Sequence, residues 1–248
     1  MAIKRSDIEI MAPCGCYEAL HAAIAAGADS VYFGVGQLNM RSASAANFTL
    51  DDLAKIVAIA HEHGKKAYLT VNTVVYEDEI DTLHRLLERA AAEKVDAVIV
   101  SDQAAILYAR KLGLEVHIST QISISNSQTV EFYSQWADTV VLARELSVAG
   151  VYRRIQQDNI CGPNGQQVKI EMFCHGALCM SVSGKCYLSL HATGCSANRG
   201  ACRQICRHAY TLVDRDTGEE LHTDGPYLLS PKDLCTIDFL DRLIESGV

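Results

Sequence analysis

The chain has 248 residues, 49% of them hydrophobic and 21% charged, enough apolar material for one large core or two small ones. No uninterrupted apolar run approaches about 18 residues, which excludes a membrane-spanning helix, and the charged start MAIKRSDIEIMAP lacks the layout of a secretory leader. A formal net charge of −8 argues against a general affinity for nucleic acid while leaving room for a local basic face.

In chain order, IEIMAP from Ile8 predicts a first strand and residues 17–26 a first helix. SVYFGV from Ser30 predicts a second strand. The loop behind it carries Asn39, Arg41 and Asn47, and Thr49 with Asp52 marks a helix start ahead of LAKIVAIAHEHG. KAYLTVN is the third strand, and IDTLHRLLERAAAE, with leucines at helical spacing, is an amphipathic helix. AVIV, EVHIST, TVVLA and VKIEMF continue the strands, separated by AAILYARKLG and by helices over 127–136 and 147–157.

Seven strands alternating with helices predict parallel pairing through right-handed crossovers. Short apolar strands predict a sheet covered on both faces. The expected fold class is therefore α/β, a TIM-like (β/α) barrel first and an open doubly wound sheet second. FLDRLIESGV ends on a helix and a glycine, as AAIAAGADSVYFG does where a strand follows. The barrel is thus expected to be incomplete at the C-terminus, as a fragment of a longer protein or a barrel that a partner closes. Residues 1–175 would form barrel units, 176–210 a cysteine-rich segment after strand seven, and 211–248 a return to the barrel.

Barrels of this kind collect their chemistry at the carboxyl ends of the strands. Those positions hold Asn72, Asp102, Thr120 with Gln121, Arg144 with Glu145, and His175. Asn72, Arg144, Glu145 and His175 are the candidate catalytic residues. Arg41, Arg144 and Gln121 are the candidate binders of a small carboxylate ligand, the arginines because a guanidinium matches a carboxylate in two hydrogen bonds. His61 and His63 sit near a helix end and read as structural. GxGxxG after the first strand, GxSxG and HExxH are all absent, so a nucleotide site or a conventional hydrolase is poorly supported.

Ten cysteines in a long chain of α/β pattern predict reduced thiols in the cytoplasm, some of them binding metal. Cys179-x6-Cys186-x15-Cys202-x3-Cys206 is the most informative spacing, set among glycines and small residues that let a backbone wrap closely. An iron–sulfur cluster, a structural zinc and unligated thiols all remain open on spacing. Arg199, Arg203, Arg207, His208 and Lys185 surround the cysteines; they could compensate an anionic centre or meet phosphates. Cys14, Cys16, Cys161, Cys174, Cys195 and Cys235 stand outside the set, with Cys235 a possible substitute for Cys206.

APCGCYEALHAAIAAGADSVYFG, NMRSASAANFT, TVNTVVYEDEI, STQISISNS, VLARELS, CHGALCMSVSGKCYLS, SANRGACRQICR and LLSPKDLCTIDFL resemble, in that order, the collagenase-like peptidase U32 family, from about Ile8 to Val248. The resemblance implies a TIM-like barrel in a chain that continues with a strand and further domains. It implies an oxygen-independent RNA hydroxylase with a [4Fe–4S] cluster on Cys179, Cys186, Cys202 and Cys206. The reaction it suggests is C5 hydroxylation of a tRNA uridine with prephenate as co-substrate. Implied partners are tRNA or ribosomal RNA, the iron–sulfur assembly machinery, and a paralogue or a missing C-terminal domain. The family's name offers a metal-dependent peptidase as the alternative, and a non-catalytic partner subunit is the third reading. Cys14, Cys16 and Cys195 depart from the family pattern.

Overall fold

The computed structural model describes residues 4–42, 48–146, 157–221 and 228–245. The helix expected over 147–157 lies, but for its last residue, outside them, and so does Asn47. Seven strands make one sheet: β1 (Met11–Pro13), β2 (Ser30–Phe33), β3 (Lys66–Val71), β4 (Ala97–Val100), β5 (Val116–Ile118), β6 (Thr139–Val141) and β7 (Lys169–Glu171). They stand in sequence order, every pair parallel. A doubly wound sheet reverses its strand order at a switch point, and this one does not. The sheet is a curled, incomplete barrel, open between β1 and β7, each of which has one strand neighbour among the described residues.

The side-chain alternation of each strand gives the curled sheet two different faces. Val31, Phe33, Leu69, Val98, Val100, Val116 and Ile118 point outward. They form one core with Leu20 of α1 (Tyr17–Ala25), Leu53 and Ile56 of α2 (Leu53–Glu62), Leu83 and Leu87 of α3 (Ile80–Ala92), Ile106 of α4 (Gln103–Lys111) and Val130 of α5 (Ser127–Ser134). Tyr68, Ala97 and Ile99, with Met11 and Tyr32, form a separate cluster on the inner side. Fully buried leucines of this kind stabilise the fold by about 1.5–3 kcal/mol each.

The first strand is shorter than its sequence suggests. The Ile10 N–H is taken by the Asp29 carboxylate and the Ile10 carbonyl by the amides of Asp29 and Ser30, so the ladder begins at Met11. Asp52 accepts from both the amide and the hydroxyl of Thr49 at 2.8 and 2.7 Å, which fixes the start of α2.

After β7 the regular pattern ends. Short β8 (His175–Gly176), α6 (Leu188–Thr193), β9 (Leu212–Val213), β10 (Glu220–Leu221), β11 (Leu234–Cys235) and α7 (Leu240–Glu245) follow. The cysteine-rich stretch among them lies across the carboxyl ends of the barrel strands. Arg199 bonds the Val74 carbonyl and the Glu79 carboxylate and stands 4.6 Å over the Tyr76 ring, fastening the stretch to the loop after β3. The Ser42 hydroxyl donates to the Arg199 carbonyl at 3.4 Å, behind β2. Gly184 rests on Gln121 after β5, and Ser183 receives Arg144 after β6 at 2.7 Å.

Gly200 decides how closely this cover can sit. Its φ of +74° is left-handed, and a Cβ there would overlap the Asn39 carbonyl oxygen and the Ser42 hydroxyl. Both faults act together in Gly200→Ala, each typically costing about 1–3 kcal/mol. The expected result is a fall in the urea midpoint with unchanged m-value; an unaltered midpoint would show that the cover is not seated against Asn39.

Candidate functional site

Cys179, Cys186, Cys202 and Cys206 are drawn together by contacts on either side of them. Arg207 donates to the Leu178 carbonyl at 3.2 Å and to the Asp233 carboxylate at 2.9 Å, tying the chain behind Cys206 to the residue ahead of Cys179. The Ser189 hydroxyl, in the first turn of α6, donates to the Cys202 sulfur at 3.9 Å and accepts the Arg203 amide at 3.0 Å. Two sulfurs receive backbone amides: Cys186 from Leu188 and Cys202 from Gln204, each at 3.4 Å. Burial pushes the Cys206 thiol up, and the charges of Cys202, Cys179 and Cys186 add to that push, with Arg207 opposing. Three of the thiols thus act on the fourth, Cys206, although no three His, Cys, Asp or Glu side chains among the described residues close up to hold a single metal ion.

The remaining cysteines behave differently. Cys14 is buried, and burial pushes its thiol up to about 12 against the pull of Arg41. Cys195 lies beside Arg203, whose hydrogen bond draws its thiol below the ordinary range, with Thr193 helping. Cys235 sits on β11 directly opposite His175 of β8, both exposed.

Beside Cys179 opens a cleft of about 460 Å³, walled by Arg144, Glu145, Leu178, Cys179, Met180 and Leu229 among others. Arg144 is held at its rim by Ser183, by the Ala177 carbonyl at 3.3 Å and by the Phe173 ring at 6.0 Å. Arg144 and Glu145 thus meet Cys179 in one space. His175 does not line it.

The other expected site residues do not line this cleft. Asn72 accepts the Met40 amide at 3.0 Å and donates to Ser119 at 3.1 Å, bracing three loops. Asp102 caps α4 through the Ala104 amide and holds the Val75 amide. The Gln121 side-chain oxygen is buried without a hydrogen-bond partner among the described residues, and a Cβ on Gly184 would approach it to 2.6 Å. Arg41 donates to the Tyr32 hydroxyl at 2.7 Å and lies 5.1 Å over that ring, on the inner side of the barrel. Arg199 and Arg207 are engaged with Glu79 and Asp233, whereas Arg203 and Lys185 are exposed. His61 pairs with Asp96 at 2.9 Å, and His63 meets the Ile59 carbonyl at 2.9 Å.

Sequence reasoning passed over Glu171, Glu9 and Tyr32, which share the barrel interior. The signal available for Glu171 was one acidic residue at an inward position of an apolar strand, VKIEMF.

Comparison with known proteins brings three findings. The sequence model of peptidase family U32 matches residues 15–248. A collagenase of Porphyromonas gingivalis is 56% identical over 246 residues, 98% of this chain and 59% of that protein. The tRNA hydroxylation protein P1 of Bacillus subtilis is 37% identical, across 97% of this chain and 56% of that protein. The chain therefore spans little more than half the length of these relatives. Among solved structures, the U32 peptidase Mk0906 has the same fold, with a TM-score of 0.55 at 14% identity over 71% of this chain and 73% of its own. No helix among the described residues is long and apolar enough to cross a membrane.

Proposed function

The chain belongs to peptidase family U32, and from that premise we propose that it carries the barrel and the cysteine centre of an RNA-hydroxylating enzyme. The gathering of Cys179, Cys186, Cys202 and Cys206 over the carboxyl ends of a curled barrel carries this reading. The proposed reaction is hydroxylation of a tRNA uridine at C5 with prephenate as hydroxyl source. Similarity to a relative that acts in tRNA hydroxylation supports the substrate class. An RNA substrate and ten free thiols agree with work in the cytoplasm.

Four cysteines are the ligand set of an iron–sulfur cluster, and the irregular x6, x15 and x3 spacing suits a centre whose ligands come from separated loops. Amide N–H groups aimed at Cys186 and Cys202 are the kind of second-shell donors that tune an iron–sulfur centre. Cys179, Cys186, Cys202 and Cys206 would hold a [4Fe–4S] cluster, delivered by iron–sulfur assembly proteins. When bound, the cluster supplies one-electron redox chemistry or a Lewis-acid iron.

The chain's own residues have separate tasks. Arg144, already steadied by Ser183, offers its guanidinium to a carboxylate in the cleft beside Cys179. Glu145 and Met180 shape the wall around it. Arg203 and Lys185, exposed beside the centre, are positioned for RNA phosphates, while Arg199 and Arg207 hold the cover in place.

Anaerobic purification of the full-length protein, with iron and sulfide quantitation and nucleoside analysis of tRNA, tests the proposal. Stoichiometric zinc in a colourless protein, together with unchanged tRNA nucleosides, would overturn it. Binding of tRNA should also weaken as salt rises, and Arg203→Ala should reduce the log–log slope by about one. An unchanged slope would remove Arg203 from the phosphate contacts.

Greater identity to a collagenase favours peptide-bond hydrolysis as a second reading. A thiol needs a neighbouring base to act as a nucleophile, and Cys235 opposite His175 is a pair of that type. Cleavage of a collagen-type peptide that Cys235→Ala abolishes and Cys206→Ala spares would establish it.

A further inference from the structure

The cysteine cover and the loop it is fastened to expose two tyrosines whose positions the fold fixes. Tyr187 leaves 72% of its surface uncovered, as much as any large apolar side chain among the described residues. A tyrosine ordinarily buries the body of its ring and wets only the hydroxyl tip. The contacts around Tyr187 place it at the cysteine centre. Its carbonyl accepts the His191 amide at 2.9 Å, in the first turn of α6. One residue on, the Leu188 amide bonds the Cys186 sulfur; two on, the Ser189 hydroxyl reaches the Cys202 sulfur and the Arg203 amide. Two of the four thiols and Arg203 thus bracket the backbone that carries this ring. Lys185 and Arg203 are both exposed, and Arg203 turns its guanidinium to the Cys195 sulfur at 3.8 Å rather than to a carboxylate.

Tyr76, in the loop after β3, is the second. It is 52% exposed, and the Arg199 guanidinium backs its ring at 4.6 Å. Arg199 is itself held by the Val74 carbonyl and the Glu79 carboxylate, and Glu79 also accepts the Tyr76 amide at 2.9 Å. That closed set of contacts keeps the uncovered part of the ring in one orientation. A chain of net charge −8 therefore gathers two fixed aromatic rings and two exposed cations on its cysteine cover. Unpaired nucleic acid matches this surface, since its bases stack on aromatic rings while its phosphates meet cations. A duplex would satisfy the cations but has no unstacked base to offer the rings. An apolar protein surface would cover the rings and leave both cations unpaired, which is costly.

We propose that Tyr187 and Tyr76 are stacking platforms for unpaired RNA bases laid across the cysteine cover, with Lys185 and Arg203 taking the phosphates beside Tyr187. Tyr187 follows Cys186 directly, so the base it holds lies next to the centre. Tyr76 holds a base at the far side, over the loop after β3 to which Arg199 fastens the cover. The choice of RNA as the polymer rests on the function proposed above; the two platforms rest on exposure and contacts.

The test measures binding of a labelled oligouridylate to the full-length holoenzyme, as a single strand and annealed to its complement. Tyr187→Ala and Tyr76→Ala should each weaken the single strand by about 5- to 150-fold, the range of one lost base stack. The log–log salt slope should stay as in wild type, because stacking releases no counterions. Tyr187→Phe should keep wild-type affinity and Tyr187→Leu should not, and the duplex should bind every variant equally. A strand carrying 5-bromouridine should photo-cross-link to Tyr187 or Tyr76, mapped by mass spectrometry. Undiminished single-strand binding by Tyr187→Ala and Tyr187→Leu, with cross-links elsewhere, would overturn the platforms and leave the RNA reading standing. A lowered urea midpoint in Tyr187→Ala with unaltered RNA affinity would also overturn them, assigning the ring to a contact within the protein. Stacking losses in a protein that leaves tRNA nucleosides unchanged would sustain the platforms and overturn the hydroxylase reading instead. If Tyr76→Ala loosens the cover, the Tyr187 variants and the cross-link still decide.

Discussion

Cys206→Ser in the full-length, anaerobically purified protein is expected, on the proposed cluster, to lose iron, visible absorption and hydroxylated product together. Cys206 is the thiol on which Cys202, Cys179 and Cys186 all act, so its removal opens the donor set on the side that Arg207 anchors. Second-shell substitutions at metal centres commonly cost 10–100-fold in affinity or activity, and loss of a direct ligand should exceed about 100-fold. Cys161→Ser provides the control, because that exposed cysteine bonds its own neighbourhood through the Asn159 carbonyl. Retention of colour and sulfide in Cys206→Ser, with loss in Cys235→Ser, would transfer the ligand role to Cys235.

Glu171→Gln is expected to stabilise the protein above neutral pH. A carboxyl whose folded pKa exceeds its unfolded value favours its protonated form in the native state. Below pH 4.5 it is protonated in both states and the difference is silent; as pH rises through about 7, stability is lost, and above that the loss saturates. From 4.5 to about 7 the penalty amounts to at most about 3 kcal/mol. Denaturant midpoints of wild type and Glu171→Gln should therefore coincide at pH 4.5 and separate in favour of the variant at pH 8. Parallel profiles throughout that range would show that Glu171 ionises without penalty.

The strands were legible because each carries its own alternation: Val31, Phe33, Leu69, Val98 and Val116 mark the covered face within a few residues. The order of the sheet followed from the βα rhythm, which leaves few routes for parallel crossovers. The four cysteines stand out in the sequence by type and spacing, and the fold brings Cys179, Cys186 and Cys202 near enough for their charges to act on Cys206. What escaped was whatever depends on closure between distant segments. Arg199 reads as a phosphate contact in its local sequence, and only the fold brings it to Glu79, 120 residues away. Asn72 and Asp102 end strands, as site residues do, yet their amide and carboxylate are spent on Met40, Ser119, Val75 and Ala104. Glu171 escaped because a single acidic residue in a strand does not reveal whether a cation awaits it.

The sheet's two margins have a consequence for self-association. Unpaired strand edges invite other chains to add to them, and this sheet has two such edges among its described residues. Both are blunt. β1 is three residues long and ends in Pro13, which has no amide hydrogen to offer, while β7 is equally short and turns Lys169 and Glu171 to one face. An incoming strand would gain few ladder bonds and would bury charge, so cross-strand polymerisation is disfavoured while the opening stays accessible to a fitted segment.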